Sequence, residues 1–524
     1  VSWLFVKLFR ELLFLIGPLN EKYFLLPESK EEPPLDKGFI PWLGHAIDFG
    51  KDAATFLTRM KSKHGNIFTV RVAGLYVTVL LDPNSYDAII KDSTSFDFTR
   101  YAHVLMKRIF NLHFPQHDPE TEKAMMRQHL QDKSLITLNR VMQKNLQALL
   151  MSEVCENRRN WKNDSLFSLC YSLLFRAGYL TLFGDEPEEN GNISISKEIF
   201  QEFRKFDALL TKMARTTLKT NEKKVASTVK ERLWDLLSQN KLNSKMNPSS
   251  WLESYRRYLT AQGVDQKMQQ RAMLLQLWAT QGNVGPAAFW MLAFLLTNPE
   301  AMTAVKNEFH KITAEVNKTC KVQTVRPEML EKTPVFVILD PFFSFLFEDS
   351  ALNETLRLTA APFITREVLQ TKTIRLADGR EYKLRKGDRI CLFPYLSPQM
   401  DPEIHQEPKK FKHDRFLNAD GTEKKDFFKD GKKLKYYTMP WGAGKNVCVG
   451  RSFAISSIKQ LMLQRNEIIP FCNLRFIFMV LTCLDIRLCD PGSPMPDTDA
   501  GRYGFGMLQP QGDLEIQYKL KSHL

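Results

Sequence analysis

The chain has 524 residues, 44% of them hydrophobic, enough to bury one large core or several small ones. Its formal charge of +14 is spread without a dense Lys/Arg block. That fits an anionic membrane surface better than nucleic acid, for which no motif is present. Eight cysteines without a C-x-x-C pair or zinc-ligand spacing suit a reducing compartment.

From the start, Val1 to Pro18 is apolar but carries Lys7, Arg10 and Glu11. It falls short of the roughly 20 residues that span a bilayer, so it reads as an interfacial helix or a clipped anchor. The absence of an initiator Met points to an incomplete start. Prolines 27, 33, 34 and 41 make the next stretch stiff and non-helical. Ile67 to Leu81 alternates and is rich in β-branched residues, which predicts a hairpin. Tyr101 to Phe114 is mixed, with Arg108 among apolar neighbours. Lys123 and Arg127 stand at i and i+4 on a predicted helix, where a solvated basic face explains them on the residues alone. Helical periodicity follows over 135–150, 166–183, 199–218 and 224–237. With strands sparse, the fold class is mainly α with a minor β-sheet region.

Gln266 to Asn298 is the longest apolar helix candidate, interrupted by Gly282, Gly285 and Pro286. Pro286 has no N–H for the carbonyl of Gly282, so the helix bends there. Ala279, Asn283 and Ala287 recur every four residues, a small-residue stripe around one amide that suits a flat cofactor. Glu354 and Arg357, at i and i+3, share a helical face. Ala361 to Arg366 reads as a strand. Met439 to Arg451 then places Cys448 in a loop with glycines at 442, 444 and 450, running into an apolar helix over 452–463. Tight turns let that backbone approach something flat, and a helix N-terminus favours a thiolate, so Cys448 is placed as a metal ligand.

The pattern aromatic-x-x-Gly-x-x-x-Cys-x-Gly at 441–450 resembles the haem-binding loop of the cytochromes P-450. Trp441 stands where most members have Phe, and Asn446 where many carry a propionate-binding Arg. The resemblance covers nearly the whole chain from Pro33 onward. It implies a membrane-associated segment and hinge over 1–32 and a haem-thiolate catalytic domain over 33–524. Haem b would lie between the long central helix and the Cys448 loop, contacted by Trp441, Gly444, Gly450, Arg366 and Arg127. Arg415 would join Glu354 and Arg357 as their structural third partner.

At the central bend, oxygen-activating members carry an acid and a hydroxyl. Here Gly282 and Asn283 occupy those places, and an amide is no general acid near neutral pH. The stretches 275–290, 357–368, 439–452 and 501–510 resemble the branch of the family that isomerises an endoperoxide. That implies prostaglandin H2 as substrate, prostacyclin as product, and no obligatory reductase or dioxygen. Asn283, Arg108, Phe114, Thr365, Arg366 and Arg389 would contact the substrate, with Cys448 and Asn283 catalytic. Microsomal relatives further imply the endoplasmic reticulum membrane, catalytic domain on the cytosolic face. A sterol hydroxylase using NADPH, reductase and dioxygen is the alternative, and a haem sensor the third class. Two runs, 337–348 and 461–475, interrupt the family pattern and read as anomalous insertions.

Overall fold

The computed structural model of the protein describes residues 31–114, 118–155, 160–186, 194–322, 346–459 and 476–521. Near its start, β1 (Leu35–Asp36) pairs in parallel with β2 (Ile67–Val72), which turns back as β3 (Leu75–Leu80). The hairpin forms where alternation predicts it, through Ala73 and Gly74, both at positive φ, the geometry that matches strand twist. Two helices, α1 (Ala46–Lys51) and α2 (Ala53–His64), lie between β1 and β2. Three later strands, β4 (Phe96–Asp97), β5 (Ile364–Val368) and β6 (Arg389–Leu392), complete the sheet in the order β1-β2-β3-β6-β5-β4. The inner strands β5 and β6 are antiparallel, and β6 runs parallel to β3.

The helical body includes α3 (Thr99–Phe110), α4 (Pro119–Leu130), α5 (Asp132–Cys155), α6 (Leu166–Phe183) and α7 (Ile195–Arg215), then α8 (Gln266–Gln281), α9 (Val284–Thr297), α10 (Leu346–Thr359) and α11 (Arg451–Lys459). The mixed stretch after Tyr101 is therefore helical: Ile109 and Phe110 are buried while Lys107 and Arg108 stay outside. By length and composition α6 is apolar enough to cross a membrane, but it is buried in the protein core. A three-stranded antiparallel sheet of 484–488, 515–520 and 162–165 was not visible in the sequence. Lys162-Asn-Asp-Ser has neither β-branched residues nor alternation to announce a strand.

The long central segment splits into α8 and α9 at Gly282 and Asn283, as the proline predicts. The Gly282 carbonyl, denied its donor four residues on, accepts a hydrogen bond from Tyr171 Oη at 3.1 Å. The backbones of α6 and α9 meet closely here. A Cβ on Gly285 would stand 2.4 Å from the Tyr171 ring, so only glycine fits.

Residues 1–30, 337–345 and 461–475 lie outside the described residues, and with them most of the N-terminal segment and of the two suspected insertions. Leu346 to Glu348, the end of the first run, forms the opening turn of α10. Its Phe347 and Glu348 N–H groups donate to the Glu308 carboxylate at 3.0 and 3.1 Å. Those three residues belong to the helix that carries Glu354 and Arg357.

Tyr171→Phe keeps the ring but leaves the Gly282 carbonyl buried without a partner. It should destabilise the fold by about 1–3 kcal/mol. The expected reading is a lower denaturant midpoint at unchanged slope.

Candidate active site

The buried Glu354 carboxylate collects donors from three directions. Arg357 gives it Nε and Nη2 at 2.7 and 2.8 Å, one turn along α10. Arg415 Nε lies 2.9 Å from both oxygens, and the Lys412 N–H adds a third contact at 3.2 Å. Arg415 spends its remaining N–H groups on the carbonyls of Gln406, Glu407 and Lys410. Arg357 Nη1 donates to the Gln399 carbonyl at 2.6 Å. The Gln399 side chain, fully buried, returns donors to the Arg357 and Ala360 carbonyls at 2.9 and 2.8 Å. Its Oε1 accepts the Met439 N–H at 3.3 Å, where the cysteine loop begins. Glu354, Arg357 and Arg415 therefore come together, and Gln399 ties them to the Cys448 loop.

Within that loop the Cys448 N–H donates to the Trp441 carbonyl at 2.9 Å. Gly444 stands at φ +65, with its missing Cβ directed at Ile90 Cγ2, 2.7 Å away. Gly450 has no such constraint: a Cβ there would meet only Cys448 Sγ, at 3.9 Å. Its smallness keeps the sulfur's surroundings open rather than bending the chain. Cys448 itself is exposed, facing the space beside the loop. Burial pushes its thiol above the usual value, against the N–H groups of Gly450 and Arg451 and the Arg451 charge, which pull it down. Desolvation thus outweighs the pull of the helix N-terminus on this thiol.

Helix α4 bounds this space on one side. Lys123 Nζ donates to Asn446 Oδ1 at 2.8 Å and to the Lys445 carbonyl at 3.4 Å, while Glu122 accepts from Gln276 of α8 at 2.8 Å. Lys123 is thus no solvated surface charge, as its helical spacing suggested; it joins α4 to the cysteine loop. Arg127 is half-buried and has no ion-pair partner among the described residues. On the central helix, Ala279 is open and Ala287 is buried. Between them, Asn283 Oδ1 accepts the Met507 N–H at 2.9 Å. That bond fixes which end of the amide is oxygen and leaves Nδ2, which donates to nothing among the described residues, free to bind. Gly506 makes the approach possible: at φ +88, its Cβ would lie 2.4 Å from Asn283 Oδ1.

Strand parity sorts the remaining candidates. Thr365 and Glu367 of β5 pair with Cys391 and Arg389 of β6, and Arg366 pairs with Ile390. Alternate residues point to opposite faces. Arg366 therefore shares a face with Ile364, Val368 and Ile390, which pack with Met439 and Ala443 of the cysteine loop. That is the loop side of the sheet. Buried, Arg366 donates to the Thr365 carbonyl at 2.9 Å and lies 5.2 Å from the Phe98 ring, and burial lowers its pKa. On the other face are Thr365, whose hydroxyl lies 3.7 Å from Cys391 Sγ, and Arg389, 5.1 Å from the Tyr101 ring. Phe114 is half-buried against the main core. Arg108 is exposed and donates to the Ala214 carbonyl at 3.2 Å, capping the end of α7.

Comparison with known proteins agrees with this geometry. A family model for cytochrome P-450 matches residues 33–465. The chain belongs to the cytochrome P-450 family. It is 50% identical to prostacyclin synthase of Rattus norvegicus over 498 residues, 94% of each chain. Against prostacyclin synthase of Homo sapiens it is 49% identical over the same length and coverage. A 7-alpha-hydroxycholest-4-en-3-one 12-alpha-hydroxylase of Homo sapiens is 40% identical over 493 residues, 93% of each chain. The protein is thus an enzyme of the cytochrome P-450 superfamily, which implies a haem held by a cysteine thiolate.

The residues present fit that group. The groups available to it are an exposed thiol, an exposed alanine on the central helix, and Arg127 and Arg366, neither of which forms an ion pair among the described residues. Burial lowers the pKa of Arg366 while the Asp97 charge raises it, and an anionic propionate would act in the same direction as Asp97. Sequence reading missed Gln399, the Met507 N–H and Tyr101. The tail motif at 501–510 carried the likeness but gave no sign that its backbone reaches Asn283.

Glu354→Gln would leave Arg357 and Arg415 buried against a neutral amide. A loss of about 3–5 kcal/mol is expected, read as a lower unfolding temperature and less haem retained per chain.

Proposed function

We propose that this cytochrome P-450 is a haem-thiolate isomerase that converts prostaglandin H2 to prostacyclin, with Cys448 as the axial ligand of haem b. The relatives named prostacyclin synthase support this reading, and one observation carries it. The central bend offers a substrate an oriented amide and no proton relay. Asn283 Oδ1 is held by the Met507 N–H, so its Nδ2 hydrogens are the groups left to donate. Gly282 supplies no acid, and Thr280 returns its hydroxyl to the Gln276 carbonyl at 2.8 Å.

An isomerase needs no delivered protons, because its substrate already contains both oxygens. The reaction breaks the O–O bond, closes a C–O bond onto the neighbouring double bond, and moves one proton from carbon to the second oxygen. The bound haem supplies the electron exchange that opens and recloses these bonds. The protein's part is to bind, orient and polarise. The Asn283 amide donates to the oxygen on which negative charge develops, a contact that strengthens as the bond breaks. Arg127 and Arg366, with Lys123 at Asn446, would hold the cofactor's carboxylates. The missing proton relay also bears on partners: we infer that no reductase is required.

Purified haem-loaded protein should form prostacyclin from prostaglandin H2 without NADPH, read as the stable hydrolysis product. Asn283→Ala should keep the haem yet fall by about 100- to 1,000-fold in turnover, the cost of one lost transition-state donor. Equal rates at equal haem content would remove Asn283 from the mechanism. A rate that depends on NADPH would favour the hydroxylase reading, which the 40%-identical relative represents.

We further propose that the enzyme sits on the cytosolic face of the endoplasmic reticulum, as its apolar N-terminus and net charge of +14 suggest. Asn163, Asn192, Asn317 and Asn353 begin Asn-x-Ser/Thr sequences and should stay bare there. Glycosidase treatment of protein from cells should leave its mobility unchanged; a shift would place these sites in the lumen.

A further inference from the structure

Asp207 of α7 is 1% exposed, and its carboxylate gathers the two ends of the tail loop, 501–510. Arg502, at one end, gives Nη2 to Asp207 Oδ1 at 2.9 Å and Nη1 to the Asp207 carbonyl at 3.2 Å. Gln509, at the other, donates Nε2 to Asp207 Oδ2 at 2.6 Å. Both partners are buried as well. Arg204, one turn earlier on α7, closes the group. Its Nη1 donates to Gln509 Oε1 at 3.3 Å and lies 3.8 Å from Asp207 Oδ2. Burial works to lower the pKa of Arg502, but the Asp207 charge and hydrogen bond, with Tyr171 and Asp499 behind them, raise it on balance. The buried charges are thus compensated within the protein.

The loop inside this clasp is the one that holds Asn283. Gly506 makes the close approach, and the Met507 N–H donates to Asn283 Oδ1. Other bonds pin the same loop to α9 and to the end of α10. Trp290 Nε1 donates to the Leu508 carbonyl at 2.8 Å, the Leu508 N–H to the Thr359 carbonyl at 2.8 Å, and the Ala361 N–H to the Gly506 carbonyl at 2.9 Å. Asp207 adds the hold from α7. A second route runs from the same cluster to the bend. The Arg204 guanidinium lies 4.7 Å from the centre of the Tyr171 ring, and Tyr171 Oη donates to the Gly282 carbonyl. The side chain of Asn283 and the backbone just before it therefore both trace back to one turn of α7. Hydrogen bonds weaken steeply once bent, so an amide whose partner moves loses its aim.

We propose that Asp207 is a positioning residue for the reaction: by clasping both ends of the tail loop, it fixes the direction in which Asn283 presents its amide nitrogen. It acts through Met507 and Asn283, not by touching the reacting atoms. For turnover the proposal rests on the isomerase reading; for geometry it stands on the loop alone.

The test is a double-mutant comparison on haem-loaded full-length protein. With prostaglandin H2, Asp207→Asn should lower kcat by up to about 100-fold, the cost of a misplacement of about 1 Å, and leave KM unchanged. In an Asn283→Ala background the same substitution should cost nothing further. Asp207→Glu, which keeps the charge, should recover part of the rate. A second readout needs no turnover: the infrared stretch of carbon monoxide on the reduced haem, which falls when a hydrogen-bond donor faces it. Asn283→Ala and Asp207→Asn should both raise that frequency, and the double variant should match Asn283→Ala alone. If Asp207→Asn fails to load haem, Gln509→Ala opens one end of the clasp, leaves the ion pair whole and carries both comparisons. Additive losses, or a stretch that the clasp variants leave in place, mean a structural role and overturn the proposal. A wild type that converts no prostaglandin H2 overturns the isomerase reading, and the stretch alone then decides the positioning role.

Discussion

The Glu354 carboxylate is the fixed point of the molecule. A buried negative charge with two guanidiniums and a backbone N–H around it is tolerable only because every lone pair is used. Removing any one donor leaves the others uncompensated, so the cluster acts as a unit. Arg357 passes that rigidity to Gln399, and Gln399 passes it to Met439 at the start of the cysteine loop. The sulfur is therefore positioned by a chain of directional bonds that begins about 90 residues upstream of it. An apolar contact of the same area would stabilise as much but would leave the loop free to slide.

The same division between anchored and open runs through the central helix. Pro286 breaks the ladder, Tyr171 satisfies the carbonyl that the break releases, and the Met507 N–H takes the oxygen of Asn283. The Gly282 carbonyl and the Asn283 oxygen thus each have a fixed partner, while the Asn283 nitrogen donates to nothing among the described residues. Preorganisation of this kind is worth having because an amide already held in place needs no rearrangement when charge develops near it.

Much of this was legible in the sequence, and the physical reason differs for each part. The bend was readable because proline's missing N–H acts locally. Glu354 and Arg357 were readable because helical spacing puts i and i+3 side by side. Cys448 and Arg415 became candidates only through the family pattern, which stands in for contacts that spacing cannot express. Lys123 read as a surface charge because nothing on its own helix reveals that Asn446, more than 300 residues away, waits opposite. The Met507 donor was invisible for a stronger reason: a backbone N–H carries no residue-type signal. Tyr101 escaped notice because its surroundings exist only once α3, α7 and β6 have met. Gly450 was expected to turn the chain tightly, but its φ is not positive and a Cβ there would meet only Cys448 Sγ.

The alternation along Ile364–Val368 makes the sheet a partition. Arg366 lies on the face that packs with the cysteine loop, while Thr365, paired with Cys391, and the cross-strand Arg389, beside Tyr101, lie on the other. Five residues thus face two different surroundings, kept apart by nothing more than odd and even position. Substitutions here can be absorbed one at a time, but a single inserted or deleted residue would exchange the two sides at once. A chimera built from relatives with other substrates can therefore trade helices and loops freely around this strand, provided that its count is never changed.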